Sequence, residues 1–581
     1  MRVYVDVIIP VHDAEETIEE TVQSAMSQSV PSYLLTSNHD VSGGGDDDGG
    51  GGDTFTTPCH DKNILDNYKR HPLNGITLDI AVCCQNDGSR DASLDLLHKL
   101  SVYYKKIHDG TENERNCNIE IQIFIESNEN SKGAGAARNR AASLRLQQCP
   151  IARRDDQPYF LCLLDSDDVM HPHRIADQVS VMLALPVEER NATLLGTTFD
   201  RIPKDSTWHY TQWANNLKEN RLMLERFREL TILQPTWMIT KERFDLLGGY
   251  IESAELGNDD TGPKMRGTCD NVYRLIHSKY DTDHTLRLAE DLRLFHAHLS
   301  YPFGRHGQKS NMEDERGTLK LIRTAEPLLT YRHREGQSQS SSTPRKLLLQ
   351  LRTKAFTDTI ILQNRKWTED GFIIWGAGRD GKDFFKALPD DVKACVRAFV
   401  DVDEKKIASG YYSAPKDIKC DQGLVLGKLE KKNRRKDCYK IPLVHFSLIA
   451  SDDEKRKQMM KQFLDGPTDD EIAGRITKEK PSNAKEQRGG AGEQHLPLPQ
   501  KRSVDNSNTG NANKRAKVSS VQRQIHAIPK KDVVNFDMIE QNILSKLPVV
   551  VCVALYRTNG VLERNVKNIG REEGSDLWHF S

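Results

Sequence analysis

The feature that most constrains this chain is an apolar run that ends in a cluster of carboxylates. Residues 159–164 read YFLCLL, and Asp165, Asp167 and Asp168 follow directly. A continuous apolar run of this length predicts a strand of a mostly parallel sheet covered on both faces. Ligands of such sheets bind outside the carboxyl ends of the strands, so the cluster is expected at a binding site. The simpler interpretation is an acidic turn or a helix N-cap, positions that Asp and Ser favour.

Neighbouring carboxylates repel one another unless a cation lies among them. A hard divalent cation such as Mn²⁺ or Mg²⁺ prefers oxygen ligands and often bridges carboxylates to substrate phosphates. The cluster therefore predicts a divalent cation as a cofactor, with the acidic turn as the alternative.

Strand-like and helical segments alternate through the first half of the chain. The strand-like segments are residues 3–11, 76–84, 119–126 and 159–164. This alternation predicts an α/β domain with a doubly wound, mostly parallel sheet and right-handed crossovers. Polar loops, each also explicable as an ordinary turn, follow three of the strands and are expected at one sheet edge. They contain His12 and Asp13, the NDGS of residues 86–89, and the acidic cluster.

Composition excludes several classes of protein. The chain has 82 basic and 84 acidic residues among 581, so no overall basic field favours nucleic acid or an acidic membrane surface. No apolar run reaches the length of a membrane span, and the start does not resemble a signal peptide. The eleven cysteines include no CxxC pair, which predicts reduced thiols without a zinc site in a cytoplasmic or nuclear protein.

A second unit follows residue 345. A helical linker is predicted over 346–370, and a Rossmann-like domain over 371–581. The strand-like FIIW runs into Gly376, Gly378 and Gly381, and a later strand ends on Asp401. This context fits an NAD(P) site, with the glycines at the pyrophosphate and the carboxylate at a ribose. The alternative is a glycine turn kept for packing in a domain that binds no nucleotide.

Three polar segments interrupt these domains. Residues 37–75 and 253–285 fall within the first domain, 1–345, and residues 452–535 fall within the second. Their low apolar content and weak periodicity predict flexible or disordered insertions. Basic pairs at 501–502 and 514–517 are spaced like a nuclear-import signal, although a solvated charge run is the simpler interpretation.

Four motifs in the first domain together resemble the donor-binding half of family-2 glycosyltransferases with the GT-A fold. They are PVHDAEETIEE, NDGSRDAS, GAGAARNRA and FLCLLDSDDVMHP, and their order and spacing match that family apart from the Gly/Asp-rich insertion. One departure is Asp13, where the family usually has Asn.

The resemblance implies roles for the residues at these motifs. Asp87 would pair with the uracil or nucleoside of the donor, and Arg138 would lie near the nucleotide. Asp165 and Asp167 would contact the ribose and hold the divalent cation that bridges the diphosphate. The strand-end residues Pro10 and Val11 complete the implied donor site.

Two later segments are similar to the acceptor half of the same family. Residues 289–295, AEDLRLF, resemble the helix start whose aspartate takes the proton of the acceptor, so Asp291 is the implied general base. The alternative is an acidic helix N-terminus favoured by the helix dipole. Residues 328–338, LLTYRHREGQS, resemble the closing segment. This likeness implies that His333 approaches the metal and that Arg332 or Arg334 neutralises phosphate.

The second domain contains IIWGAGRDG, FVDVDEKKIASGYY, IPLVHF and a terminal EEGSDLWHFS. With these motifs after the first domain, the chain resembles the beta-1,3-N-acetylglucosaminyltransferase-like protein 1 family. This likeness implies an inverting, metal-dependent hexosyltransferase without a membrane span, with UDP-GlcNAc as nominal donor and an unknown glycan, protein or lipid acceptor. Two other functions stay open: a dinucleotide-dependent oxidoreductase or epimerase that uses the Gly376 site, and a non-catalytic regulator that binds sugar nucleotides.

Overall fold

The computed structural model describes ten segments of the chain. They are residues 1–35, 68–110, 119–150, 157–252, 288–300, 319–334, 343–415, 438–450, 543–553 and 560–580. Within them the strands form two sheets, one of eight strands and one of six. The predicted α/β class is confirmed, whereas the finer GT-A and Rossmann-like assignments stay predictions.

The first sheet is mixed but mostly parallel. Its strands are β1 (Arg2–Val11), β2 (Thr77–Asp87), β3 (Ile119–Asn128), β4 (Tyr159–Leu163), β5 (Val169–Met170), β6 (Thr193–Ile202), β7 (Met238–Thr240) and β8 (Lys320–Arg332). They are ordered β3-β2-β1-β4-β7-β6-β8-β5. The first four strands are parallel, as are β6 and β8. Strand β7 is antiparallel to both its neighbours, and β5 is antiparallel to β8.

Helices cover both faces of this sheet. They are α1 (Ile18–Met26), α2 (Ser93–Gly110), α3 (Ala134–Gln148), α4 (Arg174–Ala184), α5 (Val187–Asn191), α6 (Trp208–Asn216), α7 (Glu219–Leu224), α8 (Lys241–Leu247) and α9 (Glu290–Ser300). The coverage explains the continuous apolar runs, because successive side chains of a strand point to opposite faces. On β1, Ile8 belongs to one apolar core, while Val7 and Ile9 belong to the other.

A helical segment leads into the second sheet. It consists of α10 (Arg345–Phe356) and two π-helical turns, Thr357–Ile361 and Lys366–Asp370. The strands that follow are β9 (Phe372–Trp375), β10 (Val396–Asp401), β11 (Tyr411–Pro415), β12 (Cys438–His445), β13 (Val549–Val551) and β14 (Leu577–His579). Their order is β11-β12-β10-β9-β13-β14, and every pair is parallel except β11 with β12. The accompanying helices are α11 (Arg379–Ala387), α12 (Asp390–Lys393), α13 (Glu404–Ile407) and α14 (Val561–Asn568).

The two sheets share one apolar core. The ring of Phe356, at the end of α10, lies 5.0 Å from that of Phe227, 6.0 Å from that of Phe384 and 6.2 Å from that of Trp578. Phe227 belongs to the part of the chain that builds the first sheet, whereas Phe384 and Trp578 belong to the second. Because Phe356 is fully buried, this aromatic cluster ties the second sheet to the first.

Most of the predicted insertions lie outside the described residues. This holds for residues 253–285 and 452–535, including the basic pairs at 501–517, and for 37–67. The end of the first insertion is described, however, and it packs on the domain. Leu73 is fully buried, and its backbone N–H donates to the carbonyl of Leu34 at 2.7 Å. Among the described helices, none is both long and apolar enough to cross a membrane.

Candidate active site

A pocket of about 560 Å³ lies at the carboxyl ends of β1, β2 and β4. Distant segments of the sequence line it, including the starts of α3 and α9 and the end of β8. The lining residues that the sequence singled out are Pro10, Val11, Asp87, Arg138, Asp165, Asp167, Asp291, Arg332 and Arg334. The structure therefore brings together every predicted donor-site residue and the predicted base.

Arg138 joins two carboxylates from opposite sides of the pocket. Its Nη2 donates to Asp165 Oδ1 at 2.6 Å, and its Nη1 donates to Glu290 Oε1 at 3.0 Å. The guanidinium also lies 5.4 Å from the ring centre of Tyr250. Burial lowers the pKa of Arg138, but Asp165, Tyr250 and Glu290 outweigh burial and raise it overall. The arginine therefore stays charged and links the acidic cluster to the start of α9.

Asp167 faces the pocket beside a second arginine. Its Oδ2 lies 3.6 Å from Nε of Arg334, whose Nη2 also donates to Thr17 Oγ1 at 2.6 Å. Burial, followed by the charge of Asp165, raises the pKa of Asp167 to about 6, although Arg334 opposes the change. The carboxylates of Asp165 and Asp167 therefore repel each other, and added positive charge would relieve this repulsion.

Asp168 is fully buried and connects the acidic turn to β8. Its Oδ1 accepts a hydrogen bond of 2.8 Å from the backbone N–H of Arg332. Burial, then Asp165 and Asp167, raises its pKa well above the ordinary value. This carboxylate therefore orients the acidic turn and the end of β8 relative to each other, and it does not line the pocket.

Asp87 holds the loop that begins α3. Its carboxylate accepts from Ser131 Oγ at 2.8 Å, from the Lys132 N–H at 2.9 Å and from the Gly133 N–H at 2.8 Å. Gly88 makes this close approach feasible, because a Cβ there would lie 2.8 Å from the Ser131 nitrogen. Asp87 therefore fixes the wall on which the nucleoside was predicted to bind. The contact of Asp87 with the nucleobase of the donor stays a prediction.

Asp291 lies at the first turn of α9 and keeps part of its surface in the pocket. Burial, followed by the neighbouring charge of Glu290, raises its pKa to about 7, while Arg138 opposes the change. The backbone turns sharply just before it at Ala289, whose φ of 55° is rare for a residue with a side chain. A carboxyl with a pKa near neutrality is suited to take a proton at physiological pH.

The predicted metal ligands come together only in part. Arg332 and Arg334 line the pocket but His333 does not, so its approach to the metal stays a prediction. The described residues contain no group of three His, Cys, Asp or Glu side chains arranged for a metal ion. Asp165 and Asp167 nevertheless fit a magnesium-type site, which commonly uses one or two carboxylates and completes its coordination with substrate phosphates and water.

Sequence reasoning missed two polar residues of the site. The sequence assigns no role to Glu290, the residue before the predicted base. In the structure its hydrogen bond with Arg138 links α9 to the acidic turn. Gln234 lines the pocket and donates from Nε2 to Tyr250 Oη at 2.8 Å. No local signal distinguishes either residue, because their partners are remote in sequence.

The glycine motif of the second sheet has packing reasons of its own. A Cβ on Gly381 would lie 2.0 Å from the carbonyl oxygen of Gly376, whose own φ is 118°. A Cβ on Gly378 would meet only Lys406 Nζ, at 4.0 Å. Asp401 is 3% exposed and accepts from the Ala377 N–H at 2.8 Å. The predicted ribose ligand is thus already bonded to the glycine turn.

Comparison with known proteins adds little to this geometry. No family model matches the chain. Among solved structures, the chain is similar to residues 1–349 of TarS from S. aureus in complex with UDP-GlcNAc. The identity is 12%, the match covers 68% of this chain and 84% of that one, and the TM-score is 0.30. The same fragment with UDP gives 14% identity, the same coverages and a TM-score of 0.30. Likeness this weak supports no conclusion about function, which is argued below from the site.

Proposed function

We propose that this chain is an inverting glycosyltransferase that uses a UDP-sugar, nominally UDP-GlcNAc, and a divalent cation. One observation carries the proposal: Asp291, with a pKa of about 7, lines the same pocket as the paired carboxylates Asp165 and Asp167. A pocket of about 560 Å³ is within the range of roughly 300–1,000 Å³ that is usual for small-molecule sites. The motif order described above supports a sugar nucleotide as the ligand.

The proposed donor site uses charges that the pocket already contains. Asp165 and Asp167 would hold Mn²⁺ or Mg²⁺ against the donor diphosphate. That cation would neutralise charge on the departing nucleotide. Arg334 lies beside Asp167 and has a guanidinium suited to phosphate oxygens. Arg138 is already shared by Asp165 and Glu290, so its proposed part is to orient Asp165.

The proposed reaction is a single displacement. Asp291 takes the proton of the acceptor hydroxyl as its oxygen attacks C1 of the sugar. The new bond forms while the bond from C1 to the diphosphate breaks, and UDP leaves with the electron pair. Attack from the face opposite the leaving group inverts the configuration, and no covalent intermediate with the protein is needed.

UDP release from a panel of nucleotide sugars, with Mn²⁺ or Mg²⁺, tests the proposal. We expect slow release by the wild-type chain even without acceptor, because water replaces the hydroxyl. Asp291→Asn should bind donor and lose release, whereas Asp167→Asn should lose metal-dependent donor binding in calorimetry. Asp383→Asn, a change of a 41% exposed carboxylate on α11, is the matched control.

Two results would contradict the proposal. Donor binding unaffected by Asp167→Asn would remove the metal assignment. Donor binding without UDP release, in the presence of varied acceptors, would favour a non-catalytic regulator. A thermal shift with NAD(P) and none with any nucleotide sugar would instead favour the dinucleotide enzyme, against which the engaged Asp401 argues.

A further inference from the structure

Arg201, next to the end of β6, is a buried cation without a hydrogen-bond partner among the described residues. It is 7% exposed, and its Nε is buried without a partner. No described carboxylate forms an ion pair with it, and among the groups whose charges act on it the one carboxylate is Asp168. An unpaired charge removed from water is costly, so proteins seldom keep one without a use.

Aromatic rings surround this guanidinium. Its Cζ lies 4.5 Å from the ring centre of Tyr331 and 5.6 Å from that of Phe199, which packs on Tyr210. The rings orient the guanidinium through cation–π contact but offer its N–H groups no acceptor in its plane. The two terminal nitrogens are not among the fully buried unpaired atoms, so they reach the surface. The structure thus holds several donors in place, and no acceptor from the described residues bonds to them.

The position adjoins the active-site pocket. Arg201 is the cross-strand partner of Tyr331, which lines the pocket, and the next pair joins Ile202 to Arg332, which also lines it. The charge of Asp291 acts on Tyr210, in the first turn of α6. Arg201 therefore lies beside the part of the pocket wall that Tyr331 and Arg332 form.

We propose that Arg201 binds an anionic group of the acceptor, a phosphate or a carboxylate, near the hydroxyl that attacks the donor. A guanidinium supplies paired N–H donors that match either group. The inference rests on the proposed function only in naming the ligand as the acceptor. The anion site itself is inferred from the burial of Arg201 and its contacts with the surrounding rings.

Calorimetry on the full-length chain, with UDP and Mg²⁺ added to fill the donor site, tests the inference. The probes are glycerol 3-phosphate, glycerate and uncharged glycerol. We expect at least one of the two anions to bind to the wild-type chain, and the stronger of the two identifies the class of anion. Arg201→Met should weaken this binding at least tenfold, Arg201→Lys should weaken it less, and glycerol should not bind.

Two controls separate a binding role from a structural one. Arg323→Gln changes a half-buried arginine on β8 that already donates to the carbonyls of Ala214 and Leu217, so it should leave anion binding unchanged. Arg201→Met should melt at the same temperature as wild type or higher, because it removes an unpaired charge. A clear fall in melting temperature with unchanged anion binding would assign Arg201 to packing alone and overturn the inference.

The outcomes also separate this inference from the proposed function. A chain that binds UDP but shows no binding of either anion that depends on Arg201 contradicts the inference alone. A chain that does not bind UDP contradicts the proposed function, while anion binding lost in Arg201→Met would still support the site.

Discussion

Arg138 and Asp165 form a hydrogen-bonded ion pair of 2.6 Å at the base of the pocket. The arginine side chain is 5% exposed and the carboxylate 25% exposed, so the pair is largely removed from water. Through its second nitrogen the same arginine reaches Glu290, next to the proposed base. One side chain therefore links Asp165 to the start of α9, where the proposed base lies.

Arg138→Met should destabilise the protein by about 3–5 kcal/mol, the usual cost of removing one partner of a buried ion pair. The buried carboxylate of Glu290 and the partly exposed one of Asp165 would lose their counter-charge. Urea unfolding measures the change in the free energy of unfolding. Arg2→Met is the matched control, because Arg2 also pairs with two carboxylates, Asp79 and Glu120, but is 37% exposed. The free energy of unfolding of Arg2→Met should decrease by less than about 1 kcal/mol. Equal decreases in both variants would contradict the explanation by a buried ion pair.

The pH dependence of transfer should report Asp291. Its pKa is raised to about 7, so the basic form, and with it kcat/KM, should increase as the pH rises through about 7. In Asp291→Asn the rise of kcat/KM with pH should disappear, and the rate should fall roughly 10²–10⁴-fold.

Glu290→Gln should move the rise of the rate with pH to lower pH. Burial is the main cause of the raised pKa of Asp291, and the charge of Glu290 is the next. Removing that charge favours ionised Asp291, whereas the burial remains, so the rise should shift without returning to the range of an exposed aspartate. A pH–rate profile of donor hydrolysis measures the shift. An unchanged rise would mean that another group titrates.

Phe356→Ala should cost about 3–5 kcal/mol, because it empties the aromatic cluster shared by the two sheets. Leu362→Ala is the control on the same segment. Leu362 is 49% exposed, and the change should stay within about 0.5 kcal/mol. Thermal and urea unfolding followed by tryptophan fluorescence compare the two. A Phe356 variant as stable as wild type would show that the sheets do not depend on this cluster.

Two glycines of the second sheet should respond differently to alanine. Gly381→Ala places a Cβ against the Gly376 carbonyl and should cost about 1–3 kcal/mol. Gly378→Ala adds a Cβ in open space and should leave unfolding unchanged within about 0.5 kcal/mol. If UDP release also survives Gly378→Ala, the glycine motif serves packing. Loss of NAD(P) binding in that stable variant would instead establish a nucleotide site.

Local signals in the sequence were sufficient for the elements that build the pocket. The apolar run before Asp165, the NDGS turn and the GAGAARN helix start each depend on interactions among residues close in sequence. Because parallel strands in a doubly wound sheet end at the same edge, their order also predicted that these loops meet. Asp87, Asp165 and Asp167 line the pocket accordingly, together with Arg138 and Asp291, whose roles the family resemblance implied.

The tertiary structure alone decided which of these groups are paired and which are removed from water. Glu290 gained its role by meeting Arg138, 152 residues away, and His333, unlike Arg332 and Arg334, does not line the pocket. Packing also raised the pKa of Asp291 and left Arg201 buried without a hydrogen-bond partner among the described residues. Desolvation and charge pairing depend on atoms brought together by packing, so no pattern along the chain encodes them directly.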